Sequence, residues 1–151
     1  MGFRQAIVIS EKVDSSTREN ALLFAQTKWP GIRLPSSPRQ YRDRILFAAP
    51  ELTDYLFDSD SEYERAVSTS YEIAEGVTAL STNFPNITYA HIDADCFGGT
   101  CIYSGFTIRN GTEILSVRGQ PTGHKQLLRQ IGFRMWYNCF APFVRGYLAN
   151  T

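Results

Sequence analysis

The 151 residues of this chain carry 15 basic and 15 acidic side chains, with 43% hydrophobic and 20% charged residues, the balance of a folded globular protein rather than a disordered segment. That length suffices for a single domain, 1–151, whose core needs neither metal nor disulfide. No apolar run reaches the ~20 residues of a membrane-spanning helix.

The start, Met1 to Ile9, has no long apolar stretch and no small-residue cleavage site, so no secretion signal is read and a cytoplasmic setting is expected. Ala6 stands where a myristoylation pattern wants Ser or Thr. Ala6-Ile7-Val8-Ile9 reads as a strand. Ser16 and Glu19 then have capping-box spacing and predict a helix that turns Ala21, Leu22, Phe24 and Ala25 inward and stops at Pro30. Residues 31–50 are loop-like, punctuated by Pro35, Pro38 and Pro50, with Ile45-Leu46-Phe47 as a short β or helical piece.

Ser61 and Glu64 offer a second capping box, and Tyr63, Val67, Ser70, Ala74, Val77 and Leu80 recur at steps of four and three. This predicts one helix with that stripe inward and Glu62, Glu64, Glu72 and Glu75 on the far side. Both helices end in Thr-x-aromatic-Pro-(Gly/Asn)-Ile, Thr27 to Ile32 and Thr82 to Ile87. Pro halts the helix, Gly or Asn tolerates a left-handed turn, and Ile opens a strand.

From Ile87 to Arg118 the chain reads as a β-meander. Asn110-Gly111 is a two-residue hairpin turn pairing Arg109 with Thr112. Counting outward puts Ile102, Phe106, Ile108, Leu115 and Val117 on one apolar face. Ile92, Ala94 and Cys96 alternate with His91, Asp93 and Asp95. An even loop after Cys96 would drive both aspartates onto the apolar face, where unpaired carboxylates are costly. An odd loop is therefore expected, with Cys96 opposite Ile102, Asp95 beside Tyr103, Tyr103 beside Arg118, and Asp93 across from Gly105. Residues 123–132 predict a closing helix with Leu127, Leu128 and Ile131 inward and Gly132 as its stop. The aromatic tail, Phe133, Trp136, Tyr137, Phe140, Phe143 and Tyr147, either completes the core or forms a contact patch.

The fold class this implies is α+β: a mostly antiparallel sheet containing the 87–118 meander, with Ala6–Ile9 added, and helices on one face. Cys96, Cys101 and Cys139 form neither an even disulfide set nor a Cys-x-x-Cys pair, so they read as buried thiols. Charge is unevenly spread: residues 51–95 hold ten acids against Arg65 alone, and the flanks carry the compensating bases. Such a block is unsuited to nucleic acid. Either these acids cap helices and pair with the flanks, or they face a basic protein partner.

His91, Asp93, Asp95, Tyr103 and Arg118 form the one polar constellation with the makings of a site. Asp93 and Asp95, with His91, are the residues a metal-dependent hydrolase or transferase would use; an exposed sheet face held by Asp95 and Arg118 is the plain alternative. There is no Gly-x-Ser-x-Gly elbow, phosphate loop, His-Glu-x-x-His or dinucleotide fingerprint.

Taken together, the helix before Phe84-Pro85, the strand ending Asp93-Ala94-Asp95-Cys96-Phe97-Gly98-Gly99, the Asn110-Gly111 hairpin and the closing Leu127-Leu128-Arg129-Gln130-Ile131-Gly132 helix resemble small bacterial immunity proteins over residues 60–132. The cysteines at the Gly-Gly turn and the aromatic tail depart from that pattern. The resemblance implies a non-enzymatic module, without cofactor, metal, membrane or nucleic-acid contact, that binds a cognate, basic protein toxin. Its expected contact residues are Glu64, Glu72, Glu75, Asp93, Asp95, Tyr103 and Arg118.

Overall fold

The computed structural model describes residues 2–35, 41–53, 57–135 and 141–143. In chain order these form β1 (Phe3–Lys12), α1 (Ser15–Lys28), β2 (Arg44–Ala48), α2 (Asp60–Asn83), β3 (Thr88–Phe97), β4 (Thr100–Arg109), β5 (Thr112–Gln120) and α3 (Gly123–Gln130), then a 3-10 turn at Ala141–Phe143. The five strands make one sheet in the order β2-β1-β3-β4-β5, every neighbouring pair antiparallel. The α+β class is as the sequence implies.

The helices, however, lie on both faces of that sheet. Ala6, Val8, Phe47, Tyr89 and Ile108 pack under α1 and α2, against Ala21, Ala25, Ile73, Val77 and Leu80. Ile7, Ile9, Leu46, Ile92, Ala94 and Tyr103 pack on the other side against Leu127, Leu128 and Ile131 around α3. The central strands are therefore buried twice over, which explains the unbroken apolar run at β1.

Both helix starts fall two residues before the spacing-based expectation. Asp14 caps α1 by accepting from the Thr17 amide, and Ser59 caps α2 by accepting from the Glu62 amide. Glu62 in turn accepts from the Asp58 amide, one residue before the cap, so Ser59 and Glu62 hold the start of α2 rather than Ser61 and Glu64.

The repeated helix ending is a repeated geometry. Trp29 and Phe84 cap α1 and α2 at φ −129°, ψ 82° and φ −123°, ψ 73°, each amide donating to the carbonyl four residues back. Asn86 takes the positive φ, 65°, that lets Ile87 turn into β3. At Ile32 the chain instead contributes one bridge, Arg33 to Ala48, along the edge of β2. Trp29 seats against Gly76 of α2, where a β-carbon would collide with the indole.

The meander corrects the expected parity. Gly98 and Gly99 both have positive φ, 59° and 82°, so the loop is a two-residue turn that pairs Phe97 with Thr100 and Cys96 with Cys101. Asp93 is opposite Ser104, Asp95 opposite Ile102 and Gly105 opposite Ile92. The count is even, and His91, Asp93 and Asp95 share the face of Ile102, Phe106 and Ile108.

Asn110-Gly111 does pair Arg109 with Thr112 and Ile108 with Glu113, but the next pair is Thr107 with Leu115. Ile114 is the extra residue, half-exposed, and the bulge it makes sends Leu115 and Val117 to the α3 side. A second shift, around Gly119 at φ 57°, sets Tyr103 opposite Gln120 rather than Arg118.

Cys96 and Cys101 are joined by a disulfide across the hairpin, their Cα atoms 4.0 Å apart, not the buried thiols expected. Cys139 lies outside the described residues. Among those described, Phe133 and Phe143 pack onto the α3 side of the sheet; Trp136, Tyr137, Phe140 and Tyr147 lie outside them.

Candidate functional site

Strands β1 and β3 are paired from Phe3–Cys96 to Ser10–Tyr89, with Val8 opposite His91, Ala6 opposite Asp93 and Arg4 opposite Asp95. Arg4, Ala6 and Val8 thus share the α2 side of the sheet with His91, Asp93 and Asp95. The Arg4 backbone is further fixed by hydrogen bonds to Leu52 in both directions.

The Arg4 side chain does not meet its register partner Asp95. It reaches diagonally to Asp93, with Nη2 at 2.6 Å and Nε at 3.1 Å from Oδ2, and Nε also 3.2 Å from Oδ1. The Asp93 side chain is 18% exposed and that of Arg4 46%. The hydrogen bond to Asp93 raises the Arg4 pKa and outweighs the opposing effect of burial. A charge-assisted, two-toothed contact of this kind is what a mostly covered carboxylate requires.

One step further in, His91 is 5% exposed and lies flat against Phe106, ring centroids 5.2 Å apart and planes 9° from parallel. Neither ring nitrogen has a hydrogen-bond partner among the described residues. Each such orphaned buried group costs about 1–3 kcal/mol. Burial pushes the imidazole pKa down to about 4, with Asp93 pulling weakly the other way, so the ring is neutral at pH 7.

Over these groups α2 leaves a cavity of about 400 Å³, lined on the sheet side by Arg4, Leu52, His91 and Asp93 and on the helix side by Tyr63, Val67, Ser70, Tyr71 and Ala74. The stripe expected to fill the core divides in two. Val77 and Leu80 are buried, with Ile73 beside them from outside the stripe, but Tyr63, Val67, Ser70 and Ala74 are only half-buried. Small side chains at 70 and 74 cannot reach the sheet, and the gap beneath them is the cavity.

The expected constellation is thus split. His91 and Asp93 line the cavity. Asp95 is exposed at its outer end, Arg118 is exposed on β5, and Tyr103 is buried on the opposite face, stacked on His124 at 3.7 Å. Arg4 and Tyr71 went unread as site residues; β1–β3 adjacency was the missing information for Arg4. Tyr63, Val67, Ser70 and Ala74 were visible only as a helical stripe.

As a metal centre the set fits poorly. Asp93 is occupied by a guanidinium, and no group of three or more His, Cys, Asp or Glu side chains is placed to hold an ion among the described residues.

The outer surface of α2 has a different character. Asp60, Glu64, Glu72 and Glu75 fall within roughly 120° of arc at 100° per residue, all exposed and opposite Ile73 and Val77. Arg4, Lys12 and Arg109 pair with Asp93, Asp43 and Glu11. None of Glu64, Glu72 and Glu75 is in an ion pair among the described residues. An open groove of about 520 Å³ runs along one flank of the helix, bordered by Arg33, Glu62, Arg65 and Glu72.

No known protein family, curated protein or solved structure matches the chain. Among the described residues no helix is long and apolar enough to cross a membrane.

Proposed function

We propose that this chain is a non-enzymatic protein-binding module of the immunity type, which binds a basic toxin and keeps it inactive. The observation that carries the reading is the acidic stripe of α2, Glu64, Glu72 and Glu75, unpaired among the described residues. Had these carboxylates served the fold, the basic flanks would reach them; instead Arg4, Lys12 and Arg109 go to other acids. A rigid helix presenting several like charges to solvent accelerates encounter with an oppositely charged partner and costs little when unbound.

Asp93 and Asp95 enter this reading differently from the glutamates. Asp95, exposed, extends the acidic surface, whereas Asp93 is engaged by Arg4 and serves the fold. Arg118 lies on β5 and Tyr103 faces α3, so neither joins the same contact surface. The cytoplasmic setting expected of such a protein belongs to this proposal.

The test is association with the product of the neighbouring gene, measured for the wild-type chain and for a Glu64→Lys, Glu72→Lys, Glu75→Lys variant at several salt concentrations. The association rate of the variant should fall at least tenfold at low salt and lose most of its salt dependence. Equal rates and equal salt slopes for the two proteins would remove the acidic stripe from the interface.

A further inference from the structure

On the α3 side of the sheet, a pocket of about 400 Å³ opens between the helix and the chain that leaves it, lined among the described residues by Lys125, Arg129, Phe133, Arg134 and Met135. Phe133 and Met135 pack on the core beneath and give the pocket an apolar floor. Lys125, Arg129 and Arg134 give it a rim of one sign. Among the described residues no carboxylate pairs with any of the three, and from Cys96 to Thr151 the sequence holds a single acidic side chain, Glu113. Lys125 and Arg129 stand one turn apart on α3, where like charges repel, so the needs of the fold do not explain why they are gathered.

The complement of this pocket stands on the other side of the same molecule. Tyr71 is 60% exposed on α2, with Glu64 two turns before it, Glu72 beside it and Glu75 one turn after it, all exposed. It is an aromatic knob in an acidic collar, matching an apolar floor in a basic rim. Guanidinium groups hold a tyrosine ring by its face in addition to the area it buries, which suits Tyr71 to a rim containing Arg129 and Arg134. Because α2 and α3 cover opposite faces of the sheet, the two surfaces of one chain cannot meet, and a second chain is required to join them. The net charge of the chain is zero, so copies have no overall repulsion to keep them apart, while their segregated charges attract.

We propose that the α3 pocket receives Tyr71 and its surrounding glutamates from a second copy of this chain. Pocket and knob lie on opposite faces, so the contact is heterologous: each pair of copies keeps one pocket and one knob free, and association continues head to tail beyond the dimer. The contact needs no toxin, and it is tested on the chain alone.

The experiment is sedimentation velocity of the full chain over a concentration series at about 0.01 M and about 1 M salt, where charges are screened over about 30 Å and about 3 Å. At low salt the sedimentation coefficient should rise with concentration past that of a dimer, and at high salt the rise should weaken. Tyr71→Ser changes no charge and alters an exposed side chain, and it should weaken association at least about tenfold. Glu75→Lys and Arg129→Glu should each lose association alone and regain it when mixed, since the mixture offers the intact pocket of one to the intact acidic collar of the other. Glu113→Lys, an exposed change on β5 that adds the same charge as Glu75→Lys, should associate as the wild type does.

The proposal is overturned by a sedimentation coefficient that stays constant with concentration at low salt, by association that stops at the dimer, or by undiminished association of Tyr71→Ser. It is equally overturned if the mixed variants fail to recover, or if Glu113→Lys loses as much as Glu75→Lys, which would trace the effect to net charge and not to these two surfaces.

Discussion

Arg4 and Asp93 sit on neighbouring strands two positions out of register, and the guanidinium crosses that offset to hold both carboxylate oxygens, at 2.6 Å in its closest contact. This pair is the reason an even hairpin loop after Cys96 is tolerated. Placing Asp93 on the face of Phe106 and Ile108 is costly for a lone carboxylate, but β1 supplies the counter-charge from 89 residues away in sequence. The register follows the two-glycine turn, and the electrostatics are solved by a third strand.

A double-mutant cycle tests that account. Asp93→Asn leaves Arg4 half-exposed and able to hydrate, so it should cost about 1 kcal/mol. Arg4→Met leaves a mostly covered carboxylate without its partner and should cost more, about 2 kcal/mol. The two losses should fall short of additivity by about 1 kcal/mol, measured by urea unfolding. Strict additivity would mean that the contact does not compensate the buried charge.

His91 predicts an acid-side loss of stability. Its folded pKa, about 4, is below the value near 6.5 of an unfolded histidine. Between those values the unfolded chain holds a proton the folded chain refuses, so stability rises with pH across that window and falls as pH drops through it. The loss from pH 7 to pH 4 should approach 3 kcal/mol from this residue. His91→Phe preserves a ring against Phe106 and has no proton to take up. Its stability curve should therefore be flatter than wild type between pH 6.5 and 4, and parallel curves for the two proteins would mean that His91 charges freely in the fold.

Elements whose signals are local were legible in the sequence. The Pro-terminated helix ends, the Asn110-Gly111 turn and the Leu127/Leu128/Ile131 face of α3 each depend on a handful of adjacent residues, and each stands where the pattern put it. The parity at Gly98-Gly99 is not legible locally, because a buried aspartate is costly only without a counter-charge, and Arg4 comes within reach of Asp93 only because β1 lies beside β3. Bulges at Ile114 and Gly119 carry no local signature beyond the glycine, so uninterrupted counting misplaces Leu115 and Val117 and pairs Tyr103 with Arg118 instead of Gln120. The cavity was hidden for a similar reason: Ser70 and Ala74 continue an inward stripe, and only the distance between helix and sheet decides whether such a stripe fills the core or roofs a hollow.

The hairpin disulfide gives the remaining prediction. Cys96 and Cys101 close a loop of six residues, counting both ends, for which the chain-entropy relation gives about 2 kcal/mol of stabilisation through the unfolded state. Much of the same constraint is already supplied in the folded chain by the Gly98-Gly99 turn, whose two positive φ values hold β3 and β4 in register. The Cys96→Ser, Cys101→Ser variant should therefore fold to the same register and unfold at lower urea by an amount corresponding to about 2 kcal/mol or less. Amide exchange should quicken at Asp95 to Ile102 and leave the β1–β3 pairing around Ile7 and Ile92 protected. Loss of protection at Ile7 and Ile92 would show instead that the bridge holds the central strands together, and that the turn glycines do not fix the hairpin alone.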